Sequence, residues 1–223
     1  ADFFTKEEFL EIAEKYISIF EQDLISLNTL TPDHRPKATE YIPQMIDSIE
    51  TLIKKEFAYV TPLAVYFDIS KARDYTRLSH QNLEKNIEDA GRGSVSDPLK
   101  KNQADFALWF FKAGAHEHAL QTWESPLSDK EVFPGWHIEC SAMIRSILGD
   151  TIDVHMGGIE HISIHHTNEI AQSEALTGKP LAHYWMHNEH LLVDGKKMSK
   201  SEGTSYSIEH IKEKGFNPLS LRY

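Results

Sequence analysis

Polar and apolar positions follow three different periods along the chain, and each period marks a different kind of element. Residues 1–58 carry two helical stripes. Phe9, Ile12, Ala13, Tyr16 and Phe20 share one face of a helix that opens with Thr5 and Glu8 at capping-box spacing. The breaker TPDHRPK (31–37) follows, and then Ile42, Ile46, Ile49 and Ile53 form a second stripe. Both stripes read as core-facing. At PLAVYFDIS (62–70) the period drops to that of a strand. Residues 71–134 are charged and broken by Gly91, Gly93, Pro98, Gly114 and Pro126, the pattern of an inserted, partly irregular segment. Its apolar patch DFALWFF (105–111) is expected to anchor it to a core.

From residue 134 the pattern tightens. PGWHIECSAMIRSILG opens on Pro-Gly and runs to Gly149, which suits a short helix. TIDVHMGG (151–158) reads as a buried strand running into two glycines. HHTNEIAQSEALTGKP (165–180) reads as a helix stopped by Gly178 and Pro180, and HYWMHNEHLLVDG (183–195) leads back into the sheet. Strand, helix, strand is the order of a parallel α/β sheet. No internal repeat is visible.

Composition narrows the classes. The 223 residues are 40% hydrophobic, enough for a sizeable core in one large or two small domains. With 34 acids against 23 Lys and Arg, the formal charge is −11. That balance speaks against a chain that wraps nucleic acid along its whole surface, and leaves room for a local basic site. No apolar run approaches the ~20 residues that span a bilayer. The first residues, ADFFTKEEFLEIAEKY, have neither the basic start nor the apolar segment of a signal peptide. Cys140 is the single cysteine, so no internal disulfide can form, as suits a reducing cytoplasm.

Three groups of residues could carry chemistry. His165 and Glu169 stand at i and i+4 of a helix, with Cys140 one strand earlier, and thiolate, imidazole and carboxylate are all zinc ligands. The same residues also read as a core cysteine beside a surface ion pair, or as a Cys-His nucleophilic pair. In DVHMGG, Gly157 and Gly158 bring backbone to the carboxyl edge of the sheet, where open α/β sheets bind ligands, although a tight turn needs glycines too. His155 fits either a site or a satisfied core position. Lys196, Lys197 and Lys200, between Gly195 and Gly203, can converge on phosphate oxygens or form a solvated turn.

The string KMSKS (197–201) is the signature loop of class I aminoacyl-tRNA synthetases. GWHIECSAM (135–143) and HHTNEIAQSEALTGKPLAHYWMH (165–187) closely resemble cysteinyl-tRNA synthetases, and VYFDIS, LSHQNLE and DFALW resemble that family's insertion. The similarity runs from about residue 60 to 215. It implies an α/β fold, part of a class I Rossmann-like parallel-sheet catalytic domain with an inserted mixed α+β segment. The implied organisation is a helical part (1–61), the inserted connective segment (62–134), the second half of the Rossmann-like domain with a zinc site (135–192), the KMSKS loop (193–206) and the start of a further helical region (207–223).

By the same resemblance, Cys140, His165 and Glu169 bind zinc. Lys197 and Lys200 act on ATP, with Lys200 the stronger ATP contact. Gly157, Gly158 and Glu160 lie at the nucleotide, where Glu160 stands in place of the family's usual Asp, and Trp136 and His155 lie near the amino acid. The family's second cysteine ligand and its HIGH motif have no equivalent here. The expectation is therefore a piece without the HIGH-motif part and the anticodon-binding domain, unable to charge tRNA alone. The implied reaction joins L-cysteine to Mg-ATP and then to tRNA(Cys), in a cytoplasmic monomer with no membrane partner. Zinc would select the cysteine thiolate over serine. Two rivals remain: a cysteine ligase acting on an aminosugar-inositol, and a non-catalytic zinc-binding paralogue.

Overall fold

The computed structural model describes residues 5–81, 97–198, 203 and 206–222. Contacts divide the chain into two units, Pro36–Glu189 and a second made of Ala1–Arg35 with His190–Tyr223.

The larger unit is built on apolar residues of three helices and one sheet. Helix α2 (Ile42–Lys54) buries Ile42, Met45, Ile49 and Leu52, and its partly covered Ile46 and Ile53 pack on the same core. Here the predicted stripe is a core face. A five-stranded sheet in the order β1-β2-β3-β5-β4 lies against it. Its strands are β1 (Ala58–Val60), β2 (Ala64–Phe67), β3 (Phe106–Phe111), β4 (Trp123–Ser125) and β5 (Ser128–Pro134). Every pairing in it is antiparallel, with Tyr59 opposite Tyr66 and Phe111 opposite Val132. All four residues of β2 are buried, so alternation is lost there. The DFALWFF patch forms β3, and its Leu108 and Trp109 are fully covered.

Where β5 ends at Pro134, Gly135 turns the chain into helix α3 (Trp136–Leu148). A Cβ at Gly135 would stand 2.0 Å from the Ala107 carbonyl oxygen, so only glycine admits this approach to β3. Gly135 N–H also donates to the Leu108 carbonyl at 2.9 Å. The start of α3, and everything its first turns carry, is thereby fixed to the sheet.

The strand-helix-strand unit follows. Strand β6 (Ile152–Gly158) pairs in parallel with β7 (Ala182–Asn188), Ile152 opposite Ala182 through Gly158 opposite Asn188. Between them lie the short α4 (Glu160–Ser163) and α5 (His165–Thr177), which ends at Gly178 in the left-handed region, φ 73°. The expectation of a buried β6 fails: Val154 and Met156 are exposed. Among the described residues β6 pairs only with β7, and α5 covers one face, that of His155 and Gly157.

The smaller unit contains α1 (Lys6–Ser26), opened by the predicted box: Thr5 Oγ1 accepts from Glu8 N–H and Thr5 N–H donates to the Glu8 carboxylate. Its stripe is not a core face. Phe9, Ile12, Tyr16 and Phe20 are exposed, and no described residue of α1 is buried. The same unit holds a hairpin of β8 (Leu192–Val193) and β9 (Lys196–Lys197). Asp194 and Gly195, at φ 51° and 76°, make its two-residue turn, as the twist of such hairpins requires. Helix α6 (Ile208–Glu213), capped by Ser207 and His210, completes it, and Lys212 donates to Ser26 Oγ at 2.7 Å. Among the described residues no helix is long and apolar enough to cross a membrane.

Candidate functional site

Helix α3 and the first turn of α5 bring Cys140, His165 and Glu169 together, one ligand atom of each lying within 4.8 Å of the others. The i, i+4 spacing puts the last two on one face of α5, and Gln172, one turn on, ties that helix to α3. Its Nε2 donates to the His137 carbonyl and to Ser141 Oγ, each at 2.6 Å. Glu169 is 0% exposed. One of its oxygens, Oε2, accepts from His155 Nε2 at 2.9 Å. The other, Oε1, has no hydrogen-bond partner. A carboxylate oxygen buried without a partner is costly, and coordination to a metal ion removes that cost.

The donor set fits zinc. Around a tetrahedral ion with bonds of about 2.0–2.3 Å, donor atoms stand about 3.3–3.8 Å apart. His165 Nε2 lies 3.6 Å from Glu169 Oε2, inside that range and too long for a direct hydrogen bond. A second triad, His155, His166 and Glu169, shares the same carboxylate. There the His155 contact at 2.9 Å is a hydrogen bond, which makes His155 a support of Glu169 rather than an alternative ligand.

The thiol is not poised as a nucleophile. Burial, then the charges of Glu169 and Glu139, push the Cys140 pKa up to about 12. Without a cation beside it the group stays protonated at neutral pH, whereas a coordinated thiol ionises.

Around the triad stand imidazoles that sequence reasoning missed: His137, His161, His166 and His187. His137 Nδ1 meets His165 Nδ1 at 2.9 Å, and His166 Nδ1 meets His187 Nε2 at 2.8 Å. Burial, reinforced by neighbouring imidazoles, lowers His137 and His166 to about 3. Both are therefore neutral at pH 7, each ring offering one donor and one acceptor. Trp185 packs against His155 and His166, with centroids at 4.8 and 5.1 Å. The signal was present in the period-2 spacing of His183, Trp185 and His187 and in the i, i+4 pair His161 and His165.

Of the other residues singled out from sequence, Trp136 opens α3, is 73% exposed and stands edge-on to His165 at 6.3 Å. Gly157 and Gly158 end β6 at the carboxyl edge of the parallel pair. A Cβ on Gly157 would lie 2.6 Å from His166 Cε1 and 2.7 Å from His161 Nδ1, so the imidazole layer requires a glycine there. Glu160 folds its carboxylate back over Gly158. Lys197 is exposed on β9 of the hairpin in the smaller unit, and Lys200 lies outside the described residues. A cleft of about 530 Å³ lies at the opposite end of α5, lined by Lys71, Arg73, Arg77 and Lys179 among others. It touches none of these residues.

Residues 4–223 match the family model of the tRNA synthetases class I (C) catalytic domain. The chain is 44% identical over 215 residues to a cysteine--tRNA ligase of Chlamydia pneumoniae, an alignment spanning 96% of this chain and 44% of that protein. It is 45% identical over 214 residues to a cysteine--tRNA ligase of Lactococcus lactis, spanning 96% and 46%. To one from a Cyanothece strain it is 42% identical over 212 residues, spanning 95% and 42%. The chain thus spans less than half the length of these curated relatives.

Proposed function

The chain belongs to the family of class I (C) tRNA synthetase catalytic domains, and from that premise we propose that it is part of an enzyme that activates L-cysteine with ATP and passes it to tRNA(Cys). The observation that carries the cysteine-specific part is the Glu169 carboxylate, fully buried with Oε1 unpartnered, which offers a ligand atom within 4.8 Å of those of Cys140 and His165. Zinc held by Cys140, His165 and Glu169 would supply the preference for a thiolate over a neutral serine hydroxyl, which pocket size alone discriminates poorly.

The chain's own residues divide the remaining work. An oxygen of the cysteine carboxylate attacks the α-phosphorus of Mg-ATP, the bond to the bridging oxygen breaks, and pyrophosphate leaves. Lys197 and Lys200 neutralise the charge that grows on pyrophosphate, and losing one such contact costs about 2.7–4 kcal/mol of transition-state stabilisation. That role accounts for positive charge gathered locally in a chain of net charge −11. Gly157 and Gly158 bring the end of β6 to the carboxyl edge of the parallel pair, where the nucleotide would lie once the Glu160 carboxylate that covers Gly158 moves aside. Trp136 borders the amino acid, and His155 holds Glu169 in place. A ribose hydroxyl of tRNA then attacks the acyl carbon, and AMP departs. This reading places the protein in the cytoplasm, as a monomer, where the thiol of Cys140 stays reduced.

The test is ATP–pyrophosphate exchange by the full-length protein, with cysteine and serine in parallel. Exchange with cysteine alone is the expected result. No exchange with either would favour a non-catalytic zinc-binding role, and equal exchange with serine would remove thiolate selection from the account.

A further inference from the structure

His165 presents two nitrogens to two different neighbours. Its Nε2 faces the Glu169 carboxylate, 3.6 Å from Oε2. Its Nδ1 lies 2.9 Å from Nδ1 of His137. A neutral imidazole carries one N–H, so a close contact between two Nδ1 atoms holds a single proton, and one ring donates while the other accepts. If His137 is the donor, His165 must carry its own proton on Nε2 and has no lone pair left on the side of Cys140 and Glu169. If His137 is the acceptor, His165 keeps its proton on Nδ1 and turns a bare Nε2 toward the other two ligands.

We propose that His137 is the positioning residue of the metal centre: its Nδ1 accepts from His165 Nδ1–H and thereby fixes both the tautomer and the ring orientation in which His165 binds the ion through Nε2. The proposal rests on the reading of Cys140, His165 and Glu169 as ligands. Backbone arguments support it. His137 and Cys140 are i and i+3 on α3, so one helix face delivers both the acceptor and the thiol to the neighbourhood of the same imidazole. The acceptor is also held in place. Gln172, from α5, donates to the His137 carbonyl at 2.6 Å, and the Phe106 ring stands at 90° to the imidazole with centroids 5.6 Å apart. Ligating histidines that lose such a partner typically lose 10–100-fold in metal affinity.

Two measurements test this on the protein loaded with zinc or cobalt(II). In the first, affinity is measured by chelator competition for the parent, His137→Leu and His137→Asn. Leucine fills the space without an acceptor, whereas the Asn side-chain oxygen can occupy the place of Nδ1. The expected outcome is a 10–100-fold loss for His137→Leu and recovery of most of it for His137→Asn, a contrast that a packing role would not produce. Equal affinities for the parent and His137→Leu would overturn the proposal, and equal losses in both variants would reduce His137 to packing. In the second, nitrogen-15 spectra of the zinc-loaded parent assign the ring protons and need no variant to fold. A proton on His165 Nδ1 and on His137 Nε2 is expected, and metal on His165 Nδ1 would overturn the proposal. Failure of the parent to bind either metal would instead overturn the ligand reading, and this proposal with it.

Discussion

Burial leaves its plainest mark on His166, an imidazole 2% exposed and packed among His155, His161, His165 and His187. Desolvation, then the neighbouring rings, lowers its pKa to about 3, against about 6.5 for the unfolded chain. Between these values the unfolded state binds the proton and the folded state does not. The contribution to stability is therefore complete above about pH 6.5 and is lost as pH falls toward about 3. Replacing His166 by Gln, which does not titrate in that window, is expected to flatten the fall in urea midpoint between pH 7 and pH 4. An unchanged slope would assign the acid sensitivity to other groups. The residue scale is also where sequence reading divides most clearly. One helical turn put His165 and Glu169 on a common face, and the family resemblance added Cys140 to them. The pairing of His137 with His165, and of His166 with His187, could not be read that way. The first depends on how α3 packs against α5 and the second on which face of β7 that helix covers, and local spacing says nothing about either.

Two amphipathic stripes met opposite fates at the scale of elements. In α2 the stripe closes on β2, β3 and α3, and Met45, Ile49 and Leu52 are completely covered. In α1 the stripe stays exposed. The 3.6-residue period reports that a helix has an apolar face, and it carries no information on whether anything covers that face. Substitution separates the two. Ile49→Ala should cost 2–5 kcal/mol, transfer plus cavity, whereas Phe20→Gln should stay within about 0.5 kcal/mol. Urea denaturation of both variants checks this, and a large loss at Phe20 would mean that its side chain is covered in solution. Glycines were legible where backbone sterics demand them. Pro-Gly before α3 announced the helix start, but the reason for Gly135 is the Ala107 carbonyl 2.0 Å from its missing Cβ, a contact with β3 that lies far away in sequence.

At the scale of the whole molecule, net charge and exposed apolar surface oppose one another. The outer face of the β6–β7 pair carries Val154 opposite Tyr184 and Met156 opposite Met186, at 44, 69, 54 and 52% exposure. The strand pattern had suggested burial because the sequence shows apolar residues at every second place, without showing that α5 sits on the other side. Contiguous apolar surface of this kind drives association, while a charge of −11 keeps copies apart. Salt decides between them, because screening shortens the repulsion to about 8 Å at physiological ionic strength and leaves apolar contact intact. The chain is therefore expected to scatter more light as salt and concentration rise, and Met186→Glu should suppress that rise by placing a charge in the middle of the patch. Gln103→Glu, at an exposed polar position of the same unit, makes the same change in net charge without touching the patch. Suppression by Met186→Glu alone would locate the association on the β6–β7 face. Equal suppression by Gln103→Glu would make it a matter of net charge, and no salt-dependent scattering in the parent would mean that this face does not associate at all.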